Sequence, residues 1–142
     1  MASVFDKLNL KLQREIVVID APSSFEPELA SLRDVVVLRD AKRAKAIHFA
    51  LAFATKQIEV DALSTILVAK AAVDAILWFA YPKGTSKKYT CDFNRDTGWA
   101  VLRRLGFDTV RAVAIDEDWS ALRFRRVEFI QPATGRTRAS RS

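Results

Sequence analysis

Lys83-Gly84-Thr85-Ser86-Lys87-Lys88 places three ammonium groups, two hydroxyls and a flexible glycine within six residues. Those types at that density suit an anion. Phosphate or carboxylate oxygens accept from ammonium and hydroxyl donors, and a helix starting just beyond would add free N–H groups. The G-x-x-x-x-G-K spacing of a P-loop is absent. A loop that is merely solvated has the same composition. Asn94-Arg95-Asp96 follows. Asn94 and Arg95 can orient a ligand, or Asn94 can cap a helix while Arg95 and Asp96 pair. Further on, Asp116 and Asp118 form a turn next to Trp119 and Ser120. The Trp119 indole either folds onto the sheet or stacks on a ligand. A metal would need more carboxylates or histidines than this run supplies, so no metal site is assigned. His48, the lone histidine, sits in an apolar run and reads as a hydrogen-bonded core residue. Cys91, the lone cysteine, precedes a predicted helix, where a thiolate is favoured. Nothing else in the sequence supports a Cys91–His48 couple, and no catalytic residue is assigned.

The elements that would position these groups are legible in the hydrophobic pattern. Glu15-Ile16-Val17-Val18-Ile19-Asp20 reads as a buried strand stopped by Ala21-Pro22-Ser23-Ser24. A short helix is expected over 25–32, with Pro27 tolerable in its first turn. Strands follow at 34–39 and 46–53, the latter without alternation and so buried on both faces. Thr55 is placed to cap a long helix whose apolar residues Ile58, Ala62, Ile66, Ala69 and Val73 recur at helical spacing, with Leu63 and Leu67 widening the stripe. Residues 75–81 form a fourth strand that ends at Pro82 and opens into the lysine loop. A helix over 95–105 is capped by Asp92 or Asn94 and stopped by Gly106, with Trp99 in the core. Strands at 109–115 and 121–127 are five residues apart, too few for a parallel crossover, so they form an antiparallel hairpin. In the second of them Leu122 and Phe124 face one way, Arg123 and Arg125 the other.

This alternation predicts an α/β fold: a three-layer, Rossmann-like open sheet of about six strands, mostly parallel, with helices on both faces and a C-terminal antiparallel hairpin. A chain of 142 residues, half of them hydrophobic, can bury one real core. The expected organisation is one domain over 1–131 and a flexible basic tail over 132–142, where Arg136, Arg138 and Arg141 have no acid among them. No apolar run is long enough to span a bilayer, no signal segment is evident, and one cysteine allows no internal disulfide. A cytoplasmic protein with no membrane partner is the expectation.

Four motifs in order carry a resemblance: Val17-Val18-Ile19-Asp20-Ala21-Pro22, Trp78-Phe79-Ala80-Tyr81-Pro82-Lys83, Asn94-Arg95-Asp96 with Trp99, and the run from Ala114 to Phe124. Over roughly residues 6–127 the chain resembles a bacterial family of small domains of unknown function, itself similar to a shortened Rossmann-type methyltransferase fold. The resemblance implies strand order 2-1-3-4-6-5 with strand 6 antiparallel. The chain departs from such folds at two places. Ala71-Ala72-Val73-Asp74 stands where a glycine pair is usual, which leaves the end of the long helix open. The turn after the first strand, Asp20-Ala21-Pro22-Ser23-Ser24-Phe25, has no glycine, although glycines there let backbone approach a nucleotide closely. Ordinary S-adenosylmethionine or dinucleotide binding is therefore not expected, and no cofactor is assigned.

In open α/β sheets ligands bind outside the carboxyl ends of the strands, where strand order reverses. That edge would gather Tyr81, Lys83, Ser86, Lys87, Asn94, Arg95, Asp116, Trp119 and Ser120 as ligand-binding candidates. The function expected is a non-catalytic module binding an anionic small molecule or a protein partner there. The alternatives are a basic nucleic-acid-associated domain using the lysine loop, Arg123, Arg125 and the tail, and a residual transferase with an atypical S-adenosylmethionine-like site.

Overall fold

A computed structural model describes residues 4–93 and 97–130. Asn94, Arg95 and the tail 132–142 lie outside the described residues. Six strands form one sheet: β1 (Glu15–Ile19), β2 (Val36–Leu38), β3 (Ile47–Phe53), β4 (Ala71–Pro82), β5 (Phe107–Ala114) and β6 (Trp119–Arg126). Their order is β2-β1-β3-β4-β6-β5. β1 runs parallel to β2 and β3, and β3 parallel to β4. β6 is antiparallel to both β4 and β5. The expected topology and closing hairpin are thus present.

Strict alternation along β4 sorts its side chains into two cores. Leu77 and Phe79 join Val17, Ala50, Ala52 and Phe124 on one face. There α3 (Gln57–Lys70) contributes Val60 and Leu67, and α4 (Ala100–Arg104) contributes Leu102. Ile76 and Trp78 face the other way, with Ile16, Val18, Phe49 and Leu51. That face is covered by α1 (Val4–Lys7), α2 (Glu26–Ala30) and the 3-10 turn Ser23–Phe25, through Phe5, Leu8, Phe25 and Leu29. Trp78 is fully buried, and its indole N–H is satisfied by Leu8 O at 2.8 Å.

Several local expectations are corrected. Part of the expected stripe on α3 faces solvent: Ile58 is 74% and Ile66 46% exposed, and Ala62 and Ala69 are exposed with them, whereas Leu67 is buried and Leu63 packs against the core as expected. The packed face is Val60, Ser64 and Leu67. Both sets have helical spacing, so periodicity alone does not choose between them. Ser64 tolerates burial because its hydroxyl donates to Val60 O at 2.6 Å. Val73 belongs to β4, not to the helix. α3 ends at Lys70 and passes directly into extended backbone at Ala71 (φ −65°, ψ 130°). The β3–β4 register slips between Ile47↔Ala71 and Phe49↔Ile76, so the first residues of β4 bulge out. His48 sits at that slip and is exposed, not a core residue.

Thr55 does not cap α3. Glu59 Oε1 accepts from Thr55 N (2.9 Å) and Lys56 N (3.2 Å), and Asp92 Oδ1 accepts from Gln57 N (2.7 Å). Asp92 therefore serves the N-terminus of α3 rather than that of the following helix. α4 starts only at Ala100 and is stopped, as expected, by Gly106 (φ +93°). At the far end of α3, Lys70 Nζ donates to Ala41 O, Lys42 O and Ala44 O at 3.0, 3.0 and 2.9 Å, tying the 3-10 turn Ala41–Arg43 beneath the helix.

The bulged start of β4 is fastened by Asp74, whose two carboxylate oxygens accept from Arg125 Nε (2.8 Å) and Nη2 (2.7 Å). These hydrogen bonds hold the Asp74 carboxyl below its ordinary value of 3.8. A depressed native pKa stabilises the fold above the unfolded value, and that contribution is lost as pH falls through the native one. The pair is partly exposed, so its contribution is modest. Asp74→Asn should flatten the loss of stability on acidification below about pH 3.8, measured as the urea midpoint against pH. Equal acid-side losses in both proteins would show that the pair contributes nothing.

Candidate functional site

Four chain segments meet at the carboxyl end of the sheet. The lysine loop leaves β4 at Pro82 and is fastened at once to the β5–β6 turn: Lys83 N donates to Asp118 O at 2.8 Å, and Ser86 Oγ donates to Asp118 Oδ1 at 2.9 Å. Ser86 Oγ also accepts from Lys88 N and Tyr89 N, both at 3.2 Å. The β5–β6 turn is held in turn by Asp116 Oδ1, which accepts from Asp118 N (2.8 Å) and Trp119 N (2.9 Å). The far end of the loop is pinned to α3 by Asp92 N–H donating to Thr55 O (3.3 Å), besides the Asp92 cap. The lysine segment and the acidic hairpin bend therefore share one rim, as the sequence led us to expect.

Between them lies a cleft of about 670 Å³. Tyr81, Lys83, Ser86 and Ser120 line it together, four of the nine expected residues. Lys83 is the one charged group among the described lining residues, and it has no carboxylate partner among them. Lys87 is exposed and does not line the cleft, because Ser86 holds the loop so that Tyr89 turns inward. Asp116 is exposed and its carboxylate is engaged within its own turn. Ser86 lines the cleft, but its hydroxyl already braces the rim.

Trp119 folds back onto the sheet and is only 3% exposed. Its ring meets Phe53 edge-on at 5.1 Å and Tyr89 at 4.8 Å. It faces a second, smaller cleft of about 290 Å³ at the β1–β3 switch, lined also by Asp20, Ser23, Thr55 and Glu59. Tyr89 lines both clefts. Sequence reasoning passed over Tyr89, Thr90 and Phe93, which complete the wall of the larger cleft. The available signal was Tyr89 itself, an aromatic ring inside an otherwise polar run.

Cys91 lines the same cleft, and burial pushes its thiol pKa up; a hydrogen bond from the Phe93 backbone opposes this, while Asp92 and Glu59 add to it. The expected thiolate is not favoured. Among the described residues the helix that follows Cys91 starts at Ala100, too far on for its dipole to lower the thiol pKa. His48 lies near the start of β3, five residues and roughly 16 Å of strand from the rim at Phe53, too far to act with Cys91. Among the described residues no three His, Cys, Asp or Glu gather as a metal group.

The turn after β1 is unlike a nucleotide-binding turn. Asp20 itself takes the left-handed conformation (φ +58°) that glycine would hold at lower cost, and so brings a β-carbon and a carboxylate to the tip. Pro22 removes a backbone donor, and its carbonyl accepts from Phe25 N at 2.9 Å, closing the 3-10 turn.

Solved structures share this architecture. An S-adenosylmethionine-dependent methyltransferase from Aquifex aeolicus matches with a TM-score of 0.55 at 12% identity, over 87% of this chain and 87% of its own. The fibrillarin pre-rRNA processing protein of Methanococcus jannaschii matches at 0.53 and 10% identity, over 82% of this chain and 67% of its own. The N-methyltransferase NodS of Bradyrhizobium japonicum matches at 0.50 and 16% identity, over 79% and 73%. The fold is thus methyltransferase-like, and identities this low carry the fold and not the activity. No protein-family model matches the chain, and no curated protein matches it in sequence. Among the described residues no helix is long and apolar enough to cross a membrane.

Proposed function

We propose that this chain is a non-catalytic, cytoplasmic module that binds a small anionic ligand in the cleft beside Lys83. The observation that carries the reading is the cleft's lining: one ammonium with no carboxylate partner among the described residues, hydroxyls from Thr85, Thr90 and Ser120, and the rings of Tyr89 and Phe93. A mostly apolar concavity of about 300–1,000 Å³ with few placed polar groups is the usual form of a small-molecule site. A phosphate or carboxylate group would sit against Lys83 and accept from neighbouring hydroxyls, with the apolar remainder of the ligand against the rings.

The fold favours a second reading, a residual transferase, which the switch-point turn does not support. S-adenosylmethionine would have to enter past the Asp20 β-carbon and Pro22 into a cleft near the lower limit of ligand-sized pockets. The residues present do not fit that group in its ordinary place.

One thermal-shift experiment separates the readings. A panel of phosphate and carboxylate metabolites should contain a compound that stabilises the protein, by about 2.7 kcal/mol at a hundredfold excess over its Kd. Lys83→Ala should abolish that shift. S-adenosylmethionine and S-adenosylhomocysteine should give none. If no anion shifts the midpoint, or if the shift survives Lys83→Ala, the reading fails. Stabilisation by S-adenosylmethionine would put the transferase in its place.

A further inference from the structure

On the face of the sheet covered by α1 and α2, the apolar cover stops at Trp78 and Ala121. Beyond it β6 and β5 present arginines. Arg123 is directly opposite Arg111 in the β5–β6 register, and Arg125 lies two residues along the same face of β6. Like charges placed directly across an antiparallel pair destabilise it. The one acid that acts on this group, Asp74, is held bidentately by Arg125. Arg111 and Arg123 have no carboxylate partner among the described residues. Arg123 Nε is buried with no hydrogen-bond acceptor among the described residues. Burial pushes the Arg123 pKa down, with Arg125 and Arg111 adding to it and Asp74 opposing. At the border Lys7 Nζ reaches over to Ala114 O at 3.0 Å, bringing a further cation.

We propose that this face of β5 and β6 binds the phosphate backbone of single-stranded nucleic acid through Arg111 and Arg123. The arrangement suits a repeating anion better than an isolated one. On the backbone, Arg111 and Arg123 sit across neighbouring strands about 5 Å apart, with Arg125 about 6.7 Å further along β6. A phosphate between Arg111 and Arg123 relieves their mutual repulsion. The Phe129 ring, partly exposed and 5.8 Å from the Arg125 guanidinium, supplies a platform on which a base can stack. The site is separate from the Lys83 cleft and does not depend on it.

The test is fluorescence anisotropy of a labelled oligothymidylate with the full chain, at salt from about 50 to 200 mM. Binding should weaken with salt at a log–log slope of about 0.7 per phosphate contacted. Arg111→Ala and Arg123→Ala should each lower affinity about three- to tenfold and reduce the slope by about 0.7, while Lys83→Ala leaves both unchanged. Arg111 is exposed, and its loss relieves repulsion, so the Tm of Arg111→Ala should not fall. A fall would mark the residue as structural and count against the site. Absence of binding at the lowest salt overturns the proposal. So does binding that both arginine variants retain in full. Displacement of the oligonucleotide by about 1 mM inorganic phosphate, beyond the effect of matched chloride, would reassign the face to a small anion.

Discussion

Trp99→Ala should lose about 3–5 kcal/mol of stability, the usual range for emptying a buried aromatic site. Trp99 is fully buried and is the hub of an aromatic cluster. Its ring lies 5.1 Å from Phe124, 5.2 Å from Phe93, 5.9 Å from Tyr81 and 6.0 Å from Phe79. Those partners come from β4, β6 and the end of the lysine loop, so no single element can move in to fill the void. A loss of that size is a large part of the 5–15 kcal/mol typical of a domain. Urea denaturation at neutral pH measures it, and a loss under about 1 kcal/mol would mean that the cluster does not hold the sheet. The cluster also joins stability to the proposed site. Tyr81 and Phe93 both line the cleft, so a Trp99 variant that still folds should bind the anion less well even though Lys83 is untouched.

The second large effect is at Gly98. Its φ of +95° is one that side chains rarely adopt, and a β-carbon there would lie 2.7 Å from Gln57 Oε1 and 2.9 Å from Phe93 Cβ. The same Gln57 side chain donates to Gly98 O and Asp61 Oδ1, both at 2.8 Å, at the start of α3. Gly98→Ala therefore forces an unfavourable backbone angle and displaces the residue that locks this loop to the helix. The expected cost is about 2–3 kcal/mol. Gly84 is the matched control: nothing lies within 4 Å of its would-be β-carbon and its φ is not positive. Gly84→Ala should change stability by less than about 0.5 kcal/mol. Equal effects at the two glycines in urea denaturation would refute the account.

Much of this architecture could be read before any coordinates. The β-branched run in β1, the unalternating apolar run in β3, the stop at Pro82, the Gly106 break and the short connection between β5 and β6 are local signals, and each marked an element. What failed depended on partners distant in sequence. The burial of Val60 and Ser64 beside Leu67, with Ile58, Ala62 and Ile66 left outside, is decided by which face meets the sheet. Asp92 looked like a cap for the helix that follows it but reaches back 35 residues to Gln57. At the site, the shared rim was legible because both segments follow strand ends that the topology places together. The inward turn of Tyr89 and the outward turn of Lys87 were not, because they rest on Ser86 bonding to Asp118 across the two segments. The state of Cys91 was misread for a related reason: its thiol is raised first by burial in the cleft, which depends on residues distant in sequence.

β5 lies at the edge of the sheet and, among the described residues, pairs with β6 alone. An unpaired strand of eight residues is a ready template on which a second chain can grow. The opposite rim, β2, has three residues and offers little such template. β5 is blunted by two devices at one place: its register is irregular between Thr109 and Arg111, and Arg111 puts a permanent charge mid-strand. Colloidal behaviour at high concentration thus rests on the same side chain that faces Arg123. An apolar residue in place of Arg111 would leave that edge open to strand addition by neighbouring molecules.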